Sequence, residues 1–213
     1  MTMFYGTVQE DKRRFPPAGK FPNPGHWATD DPARFVSDLA SRALAAMAVG
    51  DTAAARQGRF RQLLGQYFDV EACARSALGP DWLTATAPQR QEFVELYEDY
   101  LVIGYSTALR ALGGLSFEVL GSQPDKDRVI VSSRIQINGT VPIRVDWQLN
   151  PTNHGYRVTD LIVNGISMAS TQHSDLVSVI QRNNGHVPAL LVALREKECG
   201  QRYRPIIGGR IFS

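Results

Sequence analysis

The stretch Tyr156–Gln181, YRVTDLIVNGISMASTQHSDLVSVIQ, decides how this chain is organised. Tyr156 to Val163 is rich in β-branched and aromatic residues and reads as a strand. A glycine-containing break follows, then a short extended piece, then helical spacing from about Ser174 to Arg182. Immediately upstream, within Val141–Leu149, Ile143, Val145, Trp147 and Leu149 alternate with Arg144, Asp146 and Gln148, the period of two of a half-buried strand. Earlier still, Val129, Val131, Ile135 and Ile137 alternate against Arg128, Ser132, Arg134 and Gln136, and Phe117 and Val119 begin another strand. Gly121–Asp127, Asn138-Gly139 and Asn153–Gly155 supply the turns, the Asn-Gly pair being the strongest hairpin signal. Four strands joined by short turns make an antiparallel meander with one apolar face.

On the N-terminal side the period changes to that of a helix. Asp31-Pro32 is an N-cap followed by proline at the first helical position, and Phe35, Val36, Leu39, Ala43, Ala46 and Met47 keep to one face. A second helix covers roughly 52–64, and a third runs from the cap Asp69 to Leu78, stopped by Gly79-Pro80. Thr86-Ala-Pro-Gln89 is a capping box that opens a long helix, 88–112, ended by Gly113-Gly114. That helix carries a stripe with an aromatic middle: Phe93, Leu96, Tyr97, Tyr100, Leu101, Gly104, Tyr105, Ala108 and Leu112. Helices at about 174–182 and 187–197, separated by Asn183-Asn184-Gly185, close the chain. Helices, then meander, then helices is an α+β order, with helices packed on an antiparallel sheet. Residues 1–30, with Pro16, Pro17, Pro22 and Pro24, read as an arm, 31–197 as the domain, and 198–213 as a Gly-containing tail.

Composition narrows the function classes. The 213 residues carry a net charge of +2, and the basic residues are mostly arginines spread along the chain, which argues against a nucleic-acid surface. The longest apolar run, 43–49, is far short of the roughly 20 residues of a bilayer span. No secretory h-region is present in 1–20, which taken at face value points to the cytosol. Cys73 falls on the apolar side of its helix and reads as a buried thiol; a disulfide with Cys199 stays open as an alternative in an oxidising compartment.

Catalytic chemistry has few candidates. His26, His154, His173 and His186 lack partners at ligand spacing, and no nucleotide-binding, nucleophile-elbow or zinc-protease motif occurs, so neither metal nor cofactor is expected. Asp160 shares the parity of Val158 and Ile162, unless a bulge near Leu161-Ile162-Val163 turns it. It reads first as a structural carboxylate held by arginine or backbone amides. The alternative is a general base in the cone-shaped cavity of a small-molecule enzyme or ligand binder with a related α+β fold. What remains is apolar surface: the helix stripe, and Phe117, Val119, Val131, Ile135, Ile143, Val145, Trp147 and Val158 on the meander. Periodicity cannot separate a filled core from a pocket here.

Seven markers in order carry a resemblance: Phe68-Asp69-Val70; Leu78-Gly79 with Trp82; Pro88 to Phe93 with Tyr100-Leu101; Phe117-Glu118-Val119-Leu120; Pro142 to Trp147; Tyr156-x-Val158-x-Asp160-x-x-Val163-x-Gly165-Ile166-Ser167; and Thr171 leading to Asp175-Leu176 and Leu190-Leu191. Over about 32–197 the chain resembles the MlaC-type proteins of the toluene-tolerance family, periplasmic phospholipid carriers that serve an ABC transporter. His173 and Leu176 depart from that pattern. The resemblance implies a curved antiparallel sheet wrapped by helices around a deep apolar cavity, with no catalytic residues. Acyl chains would contact Phe93, Leu96, Tyr97, Tyr100, Leu101 and Tyr105 on the long helix. On the sheet they would contact Phe117, Val119, Val131, Ile135, Ile143, Val145, Trp147, Val158, Val163, Ile166 and Met168. The implied partners are phospholipid, an inner-membrane ABC transporter complex with its lipid-binding subunit, and an outer-membrane lipoprotein–porin complex. The implied address is the periplasm.

Overall fold

In a computed structural model the described residues are 31–48, 52–108, 115–137, 140–182 and 186–196. The arm, the tail, Gly113-Gly114, Asn138-Gly139, Asn183–Gly185 and Cys199 lie outside them. Five helices come first: α1 (Pro32–Ala48), α2 (Ala53–Tyr67), α3 (Val70–Leu78), α4 (Asp81–Thr84) and α5 (Ala87–Ala108). The strands follow as β1 (Ser116–Asp125), β2 (Arg128–Gln136), β3 (Ile143–Thr152), β4 (Gly155–Val163) and β5 (Ile166–Ser167). The helices α6 (Met168–Arg182) and α7 (Val187–Arg195) complete the order. The strands form one antiparallel sheet in the order β1-β2-β3-β4-β5, the α+β architecture expected from the sequence.

The caps sit where the sequence places them, because each satisfies amide groups that a helix start leaves unbonded. Asp31 Oδ1 accepts the Ala33 amide at 3.0 Å, and Asp69 Oδ1 accepts the Ala72 amide at 2.9 Å. Thr86 and Gln89 exchange their reciprocal bonds, the amide of Thr86 donating to Gln89 Oε1 at 2.9 Å. α1 is tied to α2 by Asp38, whose carboxylate accepts the Tyr67 hydroxyl at 2.7 Å and Arg42 Nε at 2.9 Å. The Tyr67 bond, and after it Arg42, holds the Asp38 carboxyl below its ordinary value.

Four details differ from the sequence reading. A short α4 occupies Asp81–Thr84, which periodicity is too coarse to show. β1 does not turn at Gly121; it runs on to Asp125, with Leu120 as the extra residue of a bulge in the pairing with β2, next to Gly121 at φ +155°. The short extended piece expected after the glycine break joins the meander as a fifth strand: Asn164 and Gly165, at φ 49° and 85°, form a tight turn that returns β5 against β4. α6 starts at Met168 rather than near Ser174, since the Ser167 hydroxyl accepts the Ser170 amide at 3.1 Å and starts the helix early.

Two hydrophobic cores result. One is helical, built on Phe93, Tyr97, Tyr100 and Val102 of α5 with residues of α2, α3, α6 and α7. The other joins the inner face of the sheet (Val131, Ile143, Val145, Leu149, Val158 and Val163) to Val36 and Leu39 of α1 and to Leu63 and Tyr67 of α2. α5 packs chiefly on α2, α3 and α7, so it does not close directly on the meander.

Candidate functional site

A cavity of about 150 Å³ lies along the seam between the two cores. From the helical side it is lined by Phe60 and Leu64 of α2, Cys73 of α3, and Tyr97, Leu101 and Tyr105 of α5. From the sheet side come Leu39 and Ala43 of α1, Leu63 of α2, Trp147 of β3, Leu161 of β4 and Met168 at the start of α6. Phe68, between α2 and α3, packs against both cores and reaches the cavity as well. A mainly apolar cavity of about this volume has room for a small apolar guest.

The polar groups on its wall are engaged with one another. Tyr97 donates its hydroxyl to Gln172 Oε1, and Gln172 Nε2 donates to the Tyr105 hydroxyl at 3.0 Å. Gln172 is 4% exposed, so this chain of three keeps a buried amide satisfied and binds α6 to α5. The Cys73 thiol donates to Thr159 O at 3.3 Å. Burial first, and then the negative charges of Asp69 and Asp160, push that thiol up to about 12. Among the described residues it has no disulfide partner, and as a thiol it stays protonated near neutral pH, a packing group rather than a nucleophile.

Asp160 is also at the wall, and its setting follows from a bulge. The β3–β4 register pairs Gln148 with Asp160 and Leu149 with Val158, leaving Thr159 as the extra residue. The bulge foreseen near 161–163 therefore sits two residues earlier, and it restores Leu161 and Val163 to the inner face alongside Val158. Asp160 Oδ1 accepts the amides of Leu161 at 2.8 Å and Ala169 at 3.0 Å, while Oδ2 accepts the Ser167 hydroxyl at 2.6 Å. The carboxylate thus anchors the first turn of α6, where its charge also complements the helix dipole. Both oxygens are occupied by donors of the chain itself.

Of the residues expected to meet acyl chains, Tyr97, Leu101, Tyr105, Trp147 and Met168 are on the cavity wall. Phe93 and Tyr100 are buried in the helical core with Leu96 packed against it. Val131, Ile143, Val145, Val158 and Val163 fill the sheet core, with Phe117, Val119 and Ile135 at its edge. Ile166 is exposed. The wall residues of α1 and α2, together with Cys73, Thr159, Ala169 and Gln172, did not stand out as lining residues in the sequence. Their helical stripes were visible, but nothing in a stripe says that two of them flank an unfilled seam. Among the described residues no group of three His, Cys, Asp or Glu could hold a metal ion, and no helix is long and apolar enough to cross a membrane.

Two comparisons with known proteins follow this geometry. The family model described as MlaC protein matches residues 37–196. A solved structure, that of the phospholipid-binding protein from Ralstonia solanacearum in complex with a phospholipid, superposes with a TM-score of 0.69. It is 23% identical, and the match covers 81% of this chain and 98% of that one, which establishes the shared fold.

Proposed function

This chain belongs to the MlaC protein family, and from that premise we propose that it is a periplasmic phospholipid carrier without catalytic activity. The observation that carries the proposal is the seam between two separately packed cores, lined mainly by aromatic and aliphatic side chains. A fold shared with a protein solved in complex with a phospholipid supports the same reading. The carrier would receive and deliver lipid at an inner-membrane ABC transporter complex and an outer-membrane lipoprotein–porin complex, the partners that the family implies.

The energetics suit a shuttle. Two acyl chains bring roughly 30 methylenes, each worth about 0.8 kcal/mol when taken out of water. A bilayer provides nearly the same burial, so movement between bilayer and pocket is close to neutral and partners can drive it either way. No clustered basic charge is needed for the head group, which would remain at the mouth. Size adds a condition. At about 150 Å³ the cavity is below the roughly 300–1,000 Å³ of sites that enclose a whole small molecule. Loading a two-chain lipid would therefore part the helical core from the sheet core along their seam.

Native mass spectrometry of the purified chain, before and after organic extraction, tests the proposal. The expected result is a mass excess of one phospholipid that disappears on extraction. A bare polypeptide mass that persists after incubation with phospholipid vesicles would rule it out.

A further inference from the structure

The cavity wall is sorted by polarity. α1 and α2 give it only apolar side chains, Leu39, Ala43, Phe60, Leu63 and Leu64. Its polar side chains come instead from α3, β4, α5 and α6. Several of these are fully engaged within the chain. The Cys73 thiol donates to Thr159 O, Thr159 Oγ1 donates to Gln148 O at 3.3 Å, and the Asp160 carboxylate accepts two amides and a hydroxyl.

Gln172 differs. Each heteroatom of its amide has a partner, but the nitrogen carries two hydrogens. Tyr97 donates to Oε1 and the Tyr105 hydroxyl accepts one N–H; the second N–H has no acceptor among the described residues. Turning the amide over, so that the two tyrosines exchange roles, still leaves one N–H over. Gln172 is 4% exposed, and a donor without an acceptor is costly at that depth. Bridging the tyrosines uses one N–H, so the bridge does not account for the other.

We propose that this second Gln172 N–H receives an ester carbonyl oxygen of the bound phospholipid, whose hydrocarbon then lies against α1 and α2. The inference rests on the phospholipid reading and deepens it: Gln172 makes the site selective for acyl esters over alkyl ethers. A carbonyl oxygen is a strong acceptor with no hydrogen of its own, the complement of a lone donor in a mainly apolar wall. An ether oxygen is a poorer acceptor, and a lipid that leaves the N–H uncovered forfeits the bond. Sites built to pair a polar group reject the analogue that lacks its partner.

The test is a competition. The lipid-extracted full chain is incubated with vesicles holding equal amounts of a diester phosphatidylethanolamine and its diether counterpart of the same chain length. Native mass spectrometry then identifies the bound lipid by its mass. The wild-type chain is expected to hold the diester over the diether by about fivefold or more. Gln172→Met keeps the length of the side chain without a donor. Its ratio is expected to fall to within about twofold, through loss of the diester far more than of the diether. Comparing the two ratios cancels any preference of the vesicle itself. A purely structural role for Gln172 would lower both lipids by the same factor, and that result would overturn the proposal. So would equal uptake of the two lipids by the wild type, an outcome that leaves the phospholipid reading standing and needs no variant to fold. Retention of the wild-type preference in Gln172→Met would assign the ester to another group and overturn it too. If the wild-type chain takes up neither lipid, the phospholipid reading fails and the proposal fails with it.

Discussion

At Gly79 a single hydrogen separates the observed fold from a clash. The residue ends α3 with φ +61° and ψ −134°, a conformation that L side chains rarely adopt. A Cβ built there would lie 2.6 Å from Cε1 and 2.9 Å from Nδ1 of His173. The ring cannot swing away without cost, because its Nδ1 is 2.9 Å from Ala77 O and helps to hold α6 on α3. Gly79→Ala therefore combines backbone strain with a packing conflict, together about 2–3 kcal/mol. For a chain of this size that lowers Tm by about 4–12 °C at 2–4 °C per kcal/mol, measurable by thermal denaturation. A Tm within 1–2 °C of wild type would show that α6 can retreat. The sequence marked Gly79-Pro80 as a helix stop and placed it correctly; that the same glycine makes room for a histidine 94 positions away is a tertiary fact that no local pattern contains.

Elements were legible where their ends are chemically marked. The Thr86–Gln89 capping box, the Asp31 and Asp69 caps and the period of two in β2 and β3 all appear in the fold at the expected residues. The start of α6 was missed because its cap is shared between distant groups: Ser167 just before the helix, and Asp160 on the preceding strand. That arrangement predicts the effect of removing the carboxylate. Asp160→Ala leaves the Ala169 amide and the Ser167 hydroxyl without their acceptor, which costs about 1–2 kcal/mol by analogy with a lost N-cap. Chemical denaturation should show a lower midpoint with an unchanged slope. Asp160→Asn keeps an acceptor oxygen and is expected to lose less than half as much. The enzymatic alternative makes the opposite demand: turnover of a small substrate that Asp160→Asn abolishes while the midpoint stays put.

At the scale of the molecule, the sequence showed two extensive apolar faces but could not show how they meet. The long-helix stripe and the meander face look like the two halves of a single core, yet α5 packs among helices, and the sheet has α1 and α2 as its own covering. Only the spatial mismatch between the two cores leaves the seam, and mismatch has no periodic signature. The seam can be filled from α1 without touching either core's centre, through Ala43, a partly buried residue on its wall. A ligand that binds only the folded chain raises Tm, so extraction of lipid from the wild type should lower it. In Ala43→Trp the indole takes the place of ligand: copurified lipid should fall at least fivefold, and the gap in Tm between loaded and extracted forms should close. The extracted variant should melt within about 3 °C of extracted wild type, since filling a void offsets the strain of a larger side chain. If Ala43→Trp overpacks and melts much lower, Ala43→Leu gives the same comparison at smaller volume. A variant that fills the seam, folds normally and still carries one lipid per chain would show that the cargo is held elsewhere.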